Sequence, residues 1–232
     1  MNYLLRYFQE CQKQRIVPLP ILFKVRDKML TLKGYLLNDG LCRSLCQSLE
    51  IYPELLTGIN LTDNGISDTD VATVLTGLSK IDKLLSITIK DNSFLGESAK
   101  ALSTILQRVG SQRLEELHFT SLKTNSLVMS SVCNMLLQGC NLKKLTLSKA
   151  ELSDSNILTL CQVLEDASYL TELDLSANKM TARRMRKLTR VLAENQQLQI
   201  INLSWNFLTE NEAIHDIKVS QGMNSEWLGQ LN

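Results

Sequence analysis

The feature that most constrains this chain is a pair of apolar residues, one position apart, that recurs at an almost fixed interval. The pairs are Leu30 and Leu32, Ile59 and Leu61, Ile87 and Ile89, Leu117 and Phe119, Leu145 and Leu147, Leu173 and Leu175, and Ile201 and Leu203. Their spacings are 29, 28, 30, 28, 28 and 28 residues. A further leucine precedes each pair by three positions at Leu56, Leu84, Leu114, Leu142, Leu170 and Leu198, with Asp27 there in the first repeat. Three positions after each pair stand Tyr35, Asn64, Asn92, Leu122, Ala150, Asn178 and Asn206, so Asn takes four of seven places. Another apolar residue follows two later at Leu37, Ile66, Phe94, Leu152, Met180 and Leu208, with Thr124 as the exception. The composite pattern is LxxLxLxxNxL, seven times over, and self-similarity at such a period marks an architecture of stacked units.

Alternation at the pair predicts a short strand with one buried face, and units that repeat the same path must stack their strands in parallel. Asn after the strand can satisfy backbone groups at the turn with its amide and link neighbouring units into a ladder. Tyr35, Leu122 and Ala150 cannot do so, which predicts interruptions at the first, fourth and fifth repeats. The stretches between strands carry helical periodicity. Met185, Leu188, Val191 and Leu192 fall on one face of TARRMRKLTRVLAEN, as do Ala99, Leu102, Ile105 and Leu106 in ESAKALSTILQRVG. GLCRSLCQSLE, DTDVATVLTGLSK, SLVMSSVCNMLLQG and SDSNILTLCQVLEDA read alike, several opened by a residue suited to an N-cap. Strand plus helix in each unit predicts an α/β solenoid, with parallel strands on the concave face and α-helices on the convex one.

Composition agrees: Leu supplies 44 of 232 residues, while aromatic residues supply 5%. Lys+Arg 25 against Asp+Glu 24 gives a net charge of +1, which removes any global field for gripping nucleic acid or anionic membrane. Cys11, Cys42, Cys46, Cys133, Cys140 and Cys161 lack the dense spacing of disulfide scaffolds, so they read as reduced thiols. The opening MNYLLRYFQECQKQR is interrupted by Arg6 and Glu10, unlike a signal peptide, and no apolar window long enough for a membrane span exists. These features point to an intracellular, cytoplasmic protein. Residues 1–28 fall outside the repeat and read as an N-terminal helical cap: a helix near Asn2 to Gln14, a break at Val17-Pro18-Leu19-Pro20, then a second short helix. Residues 29–208 hold the seven repeats. Residues 209–232 read as a C-terminal helical segment or cap, closed by Trp227 and Leu228, or as the start of further repeats.

LTELDLSANKM, LQIINLSWNFL and LKKLTLSKAEL resemble leucine-rich repeats of the ribonuclease-inhibitor type, which also pair a strand with a full α-helix in units of this length. The resemblance spans about residues 29 to 208. It implies an α/β horseshoe used for binding proteins. The family includes a ribonuclease inhibitor, a GTPase-activating protein, innate-immune sensor modules, tropomodulin-like cytoskeletal proteins and repeat proteins of cilia and centrosomes.

Catalysis has little support in the residues. His118 and His215 are the two histidines, and G-x-S-x-G, P-loop, H-E-x-x-H and G-x-G-x-x-G signatures are lacking. Cys42 and Cys46 share a helix face, yet no second pair or histidine is spaced to complete a metal site, so the cysteines read as core residues. No cofactor is expected. The concave face is read from the residues flanking each buried pair: Thr31 and Lys33, Asn60 and Thr62, Thr88 and Lys90, His118 and Thr120, Thr146 and Ser148, Asp174 and Ser176, Asn202 and Ser204. Lys90, His118, Asp174 and, at the edge, Trp205 near Phe207 are its candidate contacts. Trp205 is read either as a contact or as packing in the last turn.

The densest charge lies on the opposite side, where Arg183, Arg184, Arg186, Lys187 and Arg190 share one helix. It reads as a solvated face or as a docking patch for an acidic protein surface, and nucleic acid is disfavoured because no aromatic residues are interleaved. The expectation is a non-catalytic interaction scaffold within a multi-subunit assembly, cytoskeletal or ciliary. The alternative is a regulator of an enzyme, a GTPase activator or an inhibitor.

Overall fold

Every recurring apolar pair places at least its first member in a strand, because alternation lets one residue point into the core while its neighbours face out. The computed structural model describes residues 3–19, 25–51, 56–110, 113–120, 126–166 and 169–206. The strands are β1 (Val25–Arg26), β2 (Met29–Thr31), β3 (Gly58–Asn60), β4 (Ser86–Ile89), β5 (Glu116–Thr120), β6 (Lys144–Ser148), β7 (Glu172–Asp174) and β8 (Ile200–Asn202). They form one sheet in sequence order; β1 pairs antiparallel with β2 and all the others pair parallel. The register follows the repeat: Leu30, Ile59, Ile87, Leu117, Leu145, Leu173 and Ile201 lie opposite one another strand by strand, and all are buried.

A helix follows each of β2 to β7: α2 (Asp39–Ile51), α3 (Asp68–Leu78), α4 (Gly96–Ile105), α5 (Ser126–Leu137), α6 (Asp154–Asp166) and α7 (Ala182–Glu194). Their apolar faces join the strand leucines in one core. An α/β arrangement of this kind, eight mostly parallel strands alternating with helices, is compatible with an α/β solenoid. Helices α2 and α3 approach closely at Gly77, where an added Cβ would lie 2.8 Å from Cys46 Sγ and 3.0 Å from its Cα. Ahead of the sheet, α1 (Tyr3–Lys13) lies against α2, burying Tyr7 and Cys11, and the Tyr7 hydroxyl accepts the Leu19 N–H at 2.9 Å.

The second short helix expected before residue 29 is corrected in part. Val25–Arg26 is instead a strand that turns back onto β2 through Asp27 and Lys28, both at positive φ. Residues 20–24 lie outside the described residues, as does 207–232, which holds Phe207, Leu208, His215, Trp227 and Leu228.

The asparagine ladder exists, and it points backwards. Asn64 Oδ1 accepts the N–H of Tyr35 (2.8 Å), and its Nδ2 donates to the Leu32 carbonyl (2.7 Å). Asn92 serves Asn64 and Leu61, Asn178 serves Ala150 and Leu147, and Asn206 serves Asn178 and Leu175 in the same way. The turns at Tyr35 and Ala150 are therefore satisfied by the following repeat, which overturns the expected interruption at Tyr35, while Ala150 has no amide to offer the turn before its own. At the third turn the residue in the acceptor's place is Leu122, which lies outside the described residues. There the Asp91 N–H turns to the Thr120 hydroxyl at 2.9 Å. β5 and β6, in two of the three repeats without Asn, have 5 residues each, against 3 in β2, β3, β7 and β8.

Directly before the Asn position the backbone is left-handed in every described repeat: Gly34, Asp63, Asp91, Lys149, Ala177 and Trp205 have φ between +52° and +70°. Gly34 takes this conformation without penalty, whereas an L side chain pays about 1–2 kcal/mol. The third repeat, whose spacing to the next is 30 residues, is also the one whose helix ends in a π-helical turn, Leu106–Gly110. Such a turn is the common way for a helix to absorb extra residues.

Candidate interaction surfaces

Helix α7 forms because Met185, Leu188, Val191 and Leu192 make an apolar stripe, and all four are buried. Its charges oppose it. Helices α2, α3, α4 and α6 open with acidic residues that complement the positive end of the helix dipole, whereas α7 has none in its first turn and carries cations there. The cations also recur at spacings of three and four, where like charges repel by a few tenths of a kcal/mol per pair.

These residues do not form the uniform patch that the sequence suggests. Arg184 reaches across to α6, where it ion-pairs with Asp154 and donates to the Leu152 carbonyl at 3.2 Å. Arg186, Lys187 and Arg190 are exposed on the outer surface, and among the described residues Lys187 and Arg190 have no ion pair. Arg183 lies in the first turn of α7, and its side chain is outside the description.

Two clefts open along the seam between α6 and α7. One, of about 610 Å³, is lined by Asp154, Ile157, Leu158, Thr181, Arg184 and Lys187. The other, of about 430 Å³, lies farther along and is lined by Leu164, Glu165, Tyr169, Val191 and Glu194 with Asn195 to Gln197. Cys161 is buried between them. Burial pushes its thiol up to about 11, with Lys187 pulling it down and Glu165 pushing it up, so both charges act on the same stretch of seam.

On the sheet face turned away from the helices, Thr88, His118, Thr146, Asp174 and Asn202 stand opposite one another in register. The His118 side chain is only 19% exposed. Its Nδ1 lies 2.8 Å from the Thr146 hydroxyl, and its Nε2 lies 3.9 Å from the Glu116 carboxylate. Burial first and the Lys90 cation second lower its pKa, against the raising effect of Glu116, so the ring is neutral at pH 7. Thr146, Ser148 and Ser176 are also buried, and the Ser176 hydroxyl donates to that of Ser148 at 2.9 Å.

Asp174 is committed locally: its Oδ1 accepts the Ser176 N–H at 2.9 Å, as Asn60 does for Thr62 and Asn202 for Ser204. Lys90 is half-buried beside His118. Trp205 is 78% exposed, so it does not pack into the last described turn.

Sequence reasoning missed a row of charge at the start of the strands. Lys144 bridges Glu116 (3.5 Å) and Glu172 (3.2 Å), Lys143 pairs with Glu115 (2.9 Å), and Ser86 donates to Glu116 at 3.2 Å. Hydrogen bonding to Glu172 and its charge raise the Lys144 pKa. The signal was present as Glu, Lys and Glu at one repeat position, legible once the strands are aligned. Exposed pairs of this kind add at most about 1 kcal/mol each.

Among the described residues no group of three or more His, Cys, Asp or Glu could hold a metal ion, and no helix is long and apolar enough to cross a membrane. All six cysteines are free and buried, Cys42 and Cys46 within α2. Compared with protein-family models the chain matches none, and compared with curated proteins it has no significant match.

Proposed function

We propose that this chain is a non-catalytic protein–protein interaction scaffold, built as a horseshoe of leucine-rich repeats of the ribonuclease-inhibitor type. The observation that carries this reading is α7. It displays Lys187 and Arg190 to solvent beside other cations of the same helix, and among the described residues these two have no ion pair. Charges that a helix carries against its own interest, with no ion pair to offset them, point to selection for something outside the fold. The backward asparagine ladder and the aligned register support the repeat assignment. The buried free thiols support a reducing, cytoplasmic setting.

In this reading the partner is another protein with an acidic surface, within a cytoskeletal or ciliary assembly. Affinity isolation from cell extract tests it, comparing the intact chain with one in which Arg183, Arg186, Lys187 and Arg190 are reversed to Glu. The expected result is loss of one defined set of partners with the fold intact by circular dichroism. An unchanged partner set would overturn the assignment of α7, and stimulation of GTP hydrolysis by a small GTPase would overturn the non-catalytic reading.

A further inference from the structure

We propose that the seam between α6 and α7 is a bipolar docking groove for a helical segment of a partner protein, acidic at one end and basic at the other, with two apolar anchors about 10 Å apart. The inference deepens the scaffold reading above and rests on it. Each of the two clefts has an apolar floor, Ile157 with Leu158 in one and Leu164 with Val191 in the other. Their rims are opposite in net sign: Arg184, Lys187 and Asp154 border the first, where Asp154 is paired with Arg184 and Lys187 leaves a positive charge, and Glu165 and Glu194 border the second. Leu158 and Tyr169 are large apolar side chains left 44% and 62% exposed beside these floors.

The spacing follows from α6. From Ile157 to Leu164, the floor residues that α6 gives to the two clefts, is seven residues, about 10 Å of helix at 1.5 Å per residue. A partner helix offers apolar side chains at that separation when they stand seven positions apart. Charge complementarity sets the direction. The partner's carboxylates lie over Lys187, with Arg190 as a second cation one turn on, and its ammonium or guanidinium groups lie over Glu165 and Glu194. Arg184 is held by Asp154 and the Leu152 carbonyl, so it forms a wall of the groove, while Lys187 is available to a ligand. A purely acidic partner would meet repulsion at the Glu165 end, which distinguishes this groove from a general basic patch.

The test uses two fluorescein-labelled eleven-residue peptides of equal length and apolar spacing, the bipolar Glu-Glu-Leu-Ala-Glu-Ala-Ala-Ala-Lys-Leu-Lys and the all-acidic Glu-Glu-Leu-Ala-Glu-Ala-Ala-Ala-Glu-Leu-Glu, titrated with the full chain by fluorescence polarisation. The first is expected to bind more tightly by about tenfold, since like charges across an interface are costly. Glu165→Lys is expected to reverse the preference toward the all-acidic peptide, and Leu158→Ser to weaken the first peptide by about tenfold. Both side chains are exposed, and circular dichroism confirms the fold of each variant.

Equal binding of both peptides, or a preference that Glu165→Lys leaves unreversed, would overturn the groove. If affinity isolation loses its partners on reversal of the α7 cations but not with Leu158→Ser or Glu165→Lys, the groove fails while the scaffold reading stands. If reversal of the cations changes nothing, the scaffold's use of α7 fails as well.

Discussion

Asn178 shows how much one side chain carries in a repeating fold. It is buried, accepts the Ala150 N–H at 2.9 Å, and donates to the carbonyls of Leu147 (2.8 Å) and Leu175 (2.9 Å). Asn178→Ala strands a buried donor and acceptors in two repeats, and each unsatisfied group costs about 1–3 kcal/mol. The expected loss is about 3 kcal/mol, read as a lower urea midpoint with an unchanged slope. The existence of these amide bridges was legible in the sequence, because Asn recurs at one repeat position. Their direction was not, since nothing in a one-dimensional pattern says whether an amide serves its own turn or the one before. The left-handed residue preceding it was also illegible: Gly, Asp, Lys, Ala and Trp all occupy the position, so only the backbone reveals it.

Between elements, the clearest coupling is a cap supplied from one repeat to the next. The Asp68 carboxylate, at the start of α3, accepts the N–H groups of Leu95 (2.6 Å), Glu97 (3.0 Å) and Ser98 (3.2 Å), and bonds the Ser98 hydroxyl, at the start of α4. Burial alone raises its pKa, but these hydrogen bonds outweigh burial and hold it below the usual Asp range. A folded-state pKa below the unfolded value means that the stabilisation is present above about pH 4 and is lost as pH falls through the folded pKa. Asp68→Asn is expected to lower stability by about 1 kcal/mol at pH 6, with the difference shrinking as pH falls below the usual Asp range. Thermal melts of both chains across that range check it. Each parallel strand was legible from its apolar pair and each following helix from its period. Strand β1 was not, because two residues carry no alternation and pair only in the presence of β2. The site divides in the same way. The cations of α7 are plain in the sequence, but the capture of Arg184 by Asp154, 30 residues away, and the clefts beside it depend on how two helices come together.

Across the whole molecule, contacts run between neighbouring units, so disturbance at one place should reach distant units weakly. The buried cysteines report this directly. Burial pushes Cys42 up to about 12 and Cys133 and Cys161 up to about 11, which removes the reactive thiolate at neutral pH. No cysteine is expected to react with a thiol reagent in the native protein, and all six are expected to react in guanidinium. In the Asn178→Ala chain under mild urea, Cys161 should become labelled before Cys11, Cys42 and Cys46, as mass spectrometry of modified peptides would show. Equal labelling of all six would mean that the stack opens as one unit. The backward asparagine bonds also bear on synthesis at the ribosome. A turn closed by an amide 28 or 29 residues downstream cannot be completed when it emerges, only after its successor has been made. At about 5–20 residues per second that is a wait of a few seconds per unit. These four turns therefore mature one step behind elongation, each finished by the repeat that follows it.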